Sequence, residues 1–307
     1  MALWNSLPGA VAQGMIWGIL AIGVYLTFRI LDIPDLTVDG SIATGGAVCI
    51  MMMRSGIPAH WSMAAAFFVG MVAGAVTGLF HTKCHIPAIL AGILTQLALY
   101  SVNLRILMSK ANQPISVDRY YLMVSQRFAR ALNFENPMIP LTILLALLIA
   151  ILYWFFGTEE GGAIRATGAN AHMARAQGIN TDHQIVLGLM LSNGLVAVAG
   201  ALLAQYQGAA DINMGRGAIV IGLAAVIIGE VLFERIFRNF ALKMLSVVIG
   251  SIVYYLILQF VLQMGLNTND LKLVTALIVA IFLTLPNIKN HFATRKIAGR
   301  ADSRREA

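Results

Sequence analysis

Three acids standing close together after an apolar run, Asp32, Asp35 and Asp39, are the first residues whose types could do chemistry. Neighbouring carboxylates can divide acid and base roles, and ionisable groups at bilayer depth are costly and usually functional. Arg29 stands at helical spacing from Asp32 and is expected to pair with it, which leaves no acid/base couple. Asp211 and Glu230 are the remaining candidates. Glu230 lies beside Glu234 and Arg235 near the end of an apolar run, where a solvated or paired role is expected. His81, Cys84 and His85 imitate a metal site, but no second cluster completes a ligand set and Lys83 sits among them, so they read as loop residues. Cys49 and Cys84 give no disulfide framework. The chain has no P-loop and does not bind ATP by that route. We assign no catalytic residue and no metal.

The elements that hold these residues are helices of membrane length. Of 307 residues 59% are hydrophobic and 11% charged, against about 25% charged in soluble proteins. The apolar residues gather in runs of roughly twenty, enough for a helix to cross a core of about 30 Å while satisfying its own backbone. The expected fold is an all-α polytopic membrane protein with about nine spans: Pro8–Arg29, Ser41–Met53, Trp61–Phe80, Pro87–Leu107, Ile139–Phe156, His183–Tyr206, Ala218–Phe233, Met244–Met264 and Leu271–Leu285. The second and seventh are short. Each follows a polar, Gly-containing stretch, 32–40 and 207–217. Short spans behind such breaks, at matching places in two halves, point to discontinuous helices around a transport site and to a possible inverted repeat. Nothing at the N-terminus reads as a cleaved signal, so the first span is expected to be retained.

The net charge of +7 sits in loops and in the tail from Lys289 to Arg305. A cytoplasmic anchor beside anionic lipid accounts for it better than nucleic acid does. Residues 1–288 are read as the transmembrane domain and 289–307 as a basic cytoplasmic tail. With that tail inside a bacterial cytoplasmic (inner) membrane, nine crossings put the N-terminus outside. Arg29, Lys83, Arg165, Arg175 and Lys243 then fall inside, while the basic segment from Met108 to Pro137 runs against the bias.

The loop 157–182, between the fifth and sixth spans, reads as two short helical pieces. Glu159 and Glu160 suit the positive end of the first. Gly168 is expected to break it, Asn170 to cap the next, and Gly178 to stop it. The result is a rigid, Ala-rich, solvent-facing elbow whose small side chains admit close approach by another protein, although on these residues alone an ordinary helical loop is the preferred reading. Asp35, Thr37 and Asp39 in the first break, with Asn193, Gln205 and Asn213, are the candidate pathway residues. Interhelical hydrogen bonding is an equal reading for Asn193, and the preferred one for Gln96. Gly70, Gly74 and Gly78 make a small-residue face for close helix packing. Span centres nearly free of ionisable groups suit a pathway driven from outside the chain. A secondary active transporter, independent of any ATPase, is the alternative.

Arg165-Ala-Thr-Gly168, followed by Asn170, Ala174 and Gly178-Ile179, resembles the coupling motif of the branched-chain amino acid and ribose permease family of ABC importers. Asp35-Leu-Thr-Val-Asp-Gly40 is similar to the Asp-Leu-Ser-Val-Gly stretch of that family, and Ala199-Gly-Ala-Leu-Leu203 with Gly222-Leu-Ala-Ala-Val-Ile-Ile-Gly229 resembles its second half. Asp39 is an insertion relative to the sugar-permease form, and the extra N-terminal span of those proteins is missing. Both departures turn the expectation away from sugar, and the Asp-Leu-Thr-Val-Asp-Gly form resembles a branch of the family associated with amino-acid binding proteins, aromatic ones among them. The resemblance implies ABC ATPase subunits that dock on Glu159, Glu160, Arg165, Gly168, Asn170, Ala174, Gly178 and Ile179. It also implies a substrate-binding protein outside and a second permease copy, as a homodimer, in the bilayer. ATP and Mg would be held by the ATPase and not by this chain.

Overall fold

A computed structural model describes residues 2–117, 119–128, 136–233, 236–237, 239–263, 273, 275–277, 279–280 and 284. Among these lie ten α-helices: α1 Ala2–Tyr25, α2 Val38–Arg54, α3 Ala59–Thr82, α4 Ala88–Ile106, α5 Met138–Phe156, α6 Glu159–Ala169, α7 Ala171–Ala176, α8 Thr181–Gln207, α9 Ala218–Phe233 and α10 Phe240–Gln263. A π-helical turn, Leu26–Ile30, extends α1. Six helices are long and apolar enough to cross a membrane, counting α1 with its π turn. The two expected short spans are α2, of 17 residues, and α9, of 16. Eight of the nine expected spans thus coincide with helices. The ninth lies largely outside the described residues, and Glu234, Arg235 and the tail 289–307 lie wholly outside them.

Contact between helices is made through backbone, because small residues line the seams. The long helix α8 runs against α2 and α3. A Cβ added at Gly45 would stand 1.9 Å from the Ala197 carbonyl oxygen, and one at Gly200 would stand 2.0 Å from that of Ile42. The Gly70–Gly74 face expected to pack does so on α8, with Cβ positions 2.4 Å and 2.2 Å from the Asn193 and Leu189 carbonyl oxygens. A second trio has the same construction. There α1 runs against α9 and α10, with Gly14 on the Ile252 backbone and Gly229 on the Ser246 carbonyl.

The trios correspond as α8, α2, α3 and α1, α9, α10, so each half of the chain lends one long helix to a pair of helices, one short and one long, of the other half. Their directions are opposite. Tyr206 at the end of α8 donates to the Gly9 carbonyl near the start of α1 (3.2 Å), whereas Ile30 at the far end of the α1 extension meets Gly168 in α6. This is the expected inverted repeat, written in packing and not in side-chain identity.

Gly74→Val drives two methyl groups into the α8 backbone, where no rotamer gives relief. We expect a loss of about 3 kcal/mol, as for severe overpacking, read as a lowered melting temperature in mild detergent. Val72→Ala, on the exposed face of the same helix, leaves the melt unchanged.

At the end opposite α6, Asn112–Pro114 (β1) pairs antiparallel with Ala209–Asp211 (β2). Arg54 at the end of α2 donates to the Gln113 side chain, and Gln113 donates to the Leu107 carbonyl (3.0 Å). The basic segment after α4 is thereby tied to the strand that leads into α9.

Candidate coupling elbow and broken-helix core

The elbow is assembled from local caps. Thr158 accepts from the Gly161 N–H (3.4 Å) at the start of α6, Asn170 from Met173 (3.0 Å) at the start of α7, and Asn180 from His183 (3.2 Å) at the start of α8. Gly178 takes φ +84° and ends α7, as its type requires. Gly168 departs from expectation. The helix continues through it to Ala169, and the break falls at Asn170, whose backbone is extended. Gly168 is instead a contact: a Cβ there would lie 1.8 Å from the Ile30 carbonyl oxygen.

The elbow is also less solvated than expected. Gly161, Ile164 and Thr167 are buried, as is Ala174 in α7, whereas Ile179 is half-buried. Three ties hold the unit to the membrane helices. Arg165 donates to the Phe156 carbonyl at the end of α5 (2.7 Å) and lies 5.9 Å from the Phe240 ring. Gln184 of α8 donates to the Glu160 carboxylate (2.8 Å), and Arg175 donates to Thr181 (2.6 Å). Glu159 is exposed. The tip carries His172 and Met173, the latter 64% exposed. Met173 was not singled out from sequence, although a large apolar residue between a cap and a buried alanine on a six-residue helix has few places to go but outward.

Arg29 does not pair with Asp32. It donates through two guanidinium nitrogens to Glu230 at the elbow end of α9, while Asp32 stands exposed with φ +56°. The partner 201 positions away wins because the α1 extension and α9 run side by side, whereas the chain turns sharply at Asp32. His81 was read as a loop residue but lies in the last turn of α3, with its Nδ1 2.9 Å from the Ile86 carbonyl oxygen, whereas Cys84 and His85 follow the helix.

Between the breaks lies a dense polar core. The Asp35 carboxylate accepts from the Thr37 N–H (2.9 Å) and from Asn193 Nδ2 (2.7 Å); Asn193 Oδ1 accepts from Ser41 (2.6 Å). Thr37, Thr77 and Thr95 form a hydroxyl chain across α2, α3 and α4 (2.7 and 2.9 Å). These residues are all buried, so this conformation joins them to one another and not to an open passage. Gln205, fully buried, accepts from the Met123 N–H (3.0 Å) nearer the opposite end, and Asn213 is exposed in the turn before α9. Ser41, Thr77 and Thr95 were missed from sequence; Thr77 lies seven residues from Gly70 and so shares its packing face, the one signal available.

Asp39 has the most consequential position. Sitting in the first turn of α2, its carboxylate accepts from the backbone N–H groups of Gly217 and Ile219 (both 2.9 Å) at the start of α9. Gly215 fits against the Asp39 carbonyl, with a Cβ position 1.9 Å away. One side chain therefore serves the positive ends of both short helices.

Two helices broken at matching places, inverted trios and a docked double-helix elbow make one pattern, and comparison with known proteins decides its meaning. The family described as "Branched-chain amino acid transport system / permease component" matches residues 7–284. The chain belongs to this family. The permease is 36% identical over 287 residues to the tyrosine transport system permease protein of Clostridioides difficile, covering 92% of each chain. It is 31% identical over 216 residues to the autoinducer 2 import system permease protein LsrC of Yersinia pestis, covering 69% of this chain and 58% of that one. The ribose import permease protein RbsC of Escherichia coli matches at 26% identity, over 73% of the permease and 69% of its own length. The permease is thus a multi-pass, ABC-type transport subunit for small solutes.

Proposed function

We propose that the permease imports an amino acid, aromatic and of the tyrosine type, across the bacterial cytoplasmic membrane, by alternating access driven by a separate ABC ATPase. A homodimer of the permease sits on two ATPase subunits, with the elbow and the basic C-terminal tail at the cytoplasmic face and a binding protein delivering solute outside. ATP and Mg belong to the ATPase. The observation that carries the reading is the elbow: a unit capped at each helix start, seated on backbone at Gly168, with its tip left exposed. The tyrosine assignment rests on the relative of that name, matched over 92% of each chain.

In this mechanism closure of the ATPases moves the elbow as a rigid body. Gly168 passes the displacement to the end of α1, and Arg165 passes it to the end of α5. The π turn Leu26–Ile30 and the break behind it absorb the motion, and the Asp35–Asn193–Ser41 core rearranges as α2 moves against α8. The pathway residues Asp35, Thr37, Asp39 and Asn193 act as a gate that opens and reseals, with Gln205 and Asn213 on the outer side.

The test is copurification of tagged permease with its ATPase, using Met173→Glu at the exposed tip. This change leaves the packed seat of the elbow intact, so folding is preserved. We expect the ATPase to be lost from the variant by about tenfold or more, an unpaired charge at an apolar contact costing at least about 1.4 kcal/mol. Retention of the ATPase by the variant would sink the docking assignment. Uptake of tyrosine by permease alone, driven by an ion gradient, would put a secondary carrier in its place.

A further inference from the structure

A cavity of about 870 Å³ opens at the elbow end, between the α1 extension, the end of α5, α6 and the start of α10. Arg29, Arg165 and Lys243 line it, and among the described residues no Asp or Glu does. Glu230 compensates Arg29, so among the described lining residues Arg165 and Lys243 carry the positive charge of the cavity. Lys243 lies in the first turn of α10, a 24-residue helix with no acidic residue in that turn. A cation against the positive end of a helix dipole is repelled by it, and an anion at that place would satisfy both.

The mouth of the cavity is apolar and aromatic. Tyr153 and Trp154 line it, with Trp154 71% exposed. Ile143, Leu147 and Ile151 continue as a stripe along the same exposed face of α5. Amphipathic rings at the level of headgroups, with an apolar track running from them into the bilayer, are features that a soluble anion does not use.

We propose that this cavity binds the headgroup of an anionic phospholipid, its phosphate held by Arg165 and Lys243 and its acyl chains laid along the α5 stripe. Basic pockets between membrane helices recognise such headgroups. Because Arg165 also seats the elbow on α5, a bound lipid bridges α6 and α10 and fixes the elbow in place. The proposal rests on the cavity and its charges, not on the identity of the driving ATPase.

Native mass spectrometry of the full permease in mild detergent tests this, with phosphatidylglycerol, phosphatidylcholine and inorganic phosphate as probes. We expect phosphatidylglycerol adducts to survive activation that strips phosphatidylcholine, and an excess of inorganic phosphate to leave them in place. Lys243→Gln weakens phosphatidylglycerol binding about fivefold, and Lys243→Arg retains it. Equal retention of the two lipids overturns the proposal, as does displacement by inorganic phosphate, which would mark a free-anion site. A folded Lys243→Gln variant with unchanged binding also overturns it. If that variant fails to fold, the lipid selectivity of the native chain and of Lys243→Arg decides the matter.

Discussion

Gly168→Val is expected to abolish driven uptake while the permease still inserts in the membrane. The site where Gly168 meets Ile30 is backbone against backbone, with a Cβ position 1.8 Å from the carbonyl oxygen, so no side chain can rotate out of the way. A valine must lift α6 from the end of α1 at a cost of about 3 kcal/mol. At 1.36 kcal/mol per decade this is roughly a hundredfold in the population of seated elbow. The measurement is substrate uptake in proteoliposomes carrying the ATPase, together with stimulation of ATP hydrolysis. Gly162→Ala is the control, because a Cβ at Gly162 meets nothing within 4 Å. Native uptake by Gly168→Val would show that the seat on α1 does not transmit the stroke.

The second large effect is expected at Asp39. Asp39→Ala removes both acceptors at the start of α9 and leaves the Gly217 and Ile219 N–H groups facing an empty position. Two lost bonds to a carboxylate, and a lost cap, amount to about 3 kcal/mol. The melting temperature falls by roughly 5 °C or more, and uptake falls with it because the two short helices no longer share an anchor. Asp39→Asn recovers only part of this, since one of its two terminal atoms becomes a donor pointed at a donor. Asp32→Asn, at an exposed position of positive φ that asparagine tolerates, leaves melt and uptake unchanged. A native melt for Asp39→Ala would mean that α9 finds its cap elsewhere.

What could be read from the sequence follows the range of the interactions. Apolar runs of membrane length, the breaks before α2 and α9, and the caps at Asn170 and Gly178 all depend on near neighbours, and each has its counterpart in the structure. Gly168 was misread as a helix breaker because glycine costs a helix only about 1 kcal/mol, which a snug backbone contact offsets. The Arg29 partner was misread because Asp32 is near in sequence and Glu230 is near only in space. Asp39 was read as a pathway residue; that it caps α9, 178 positions away, follows from the inverted arrangement alone. The strands β1 and β2 are three residues each, too short to carry an alternating pattern. The repeat was faint because it survives in where glycines meet backbone, a property that many sequences can satisfy.

The exchange of long helices between halves also sets an order for biogenesis. When α2 and α3 have entered the bilayer, the glycine faces that will receive α8 have no helix to meet, and lipid must fill them until more than a hundred further residues have been made. In the same interval α1 waits for α9 and α10. Neither half is a unit that can mature alone, so a chain severed between α4 and α5 yields two fragments that become stable only by finding each other. On this geometry the permease matures as a whole, when α9 and α10 close on α1.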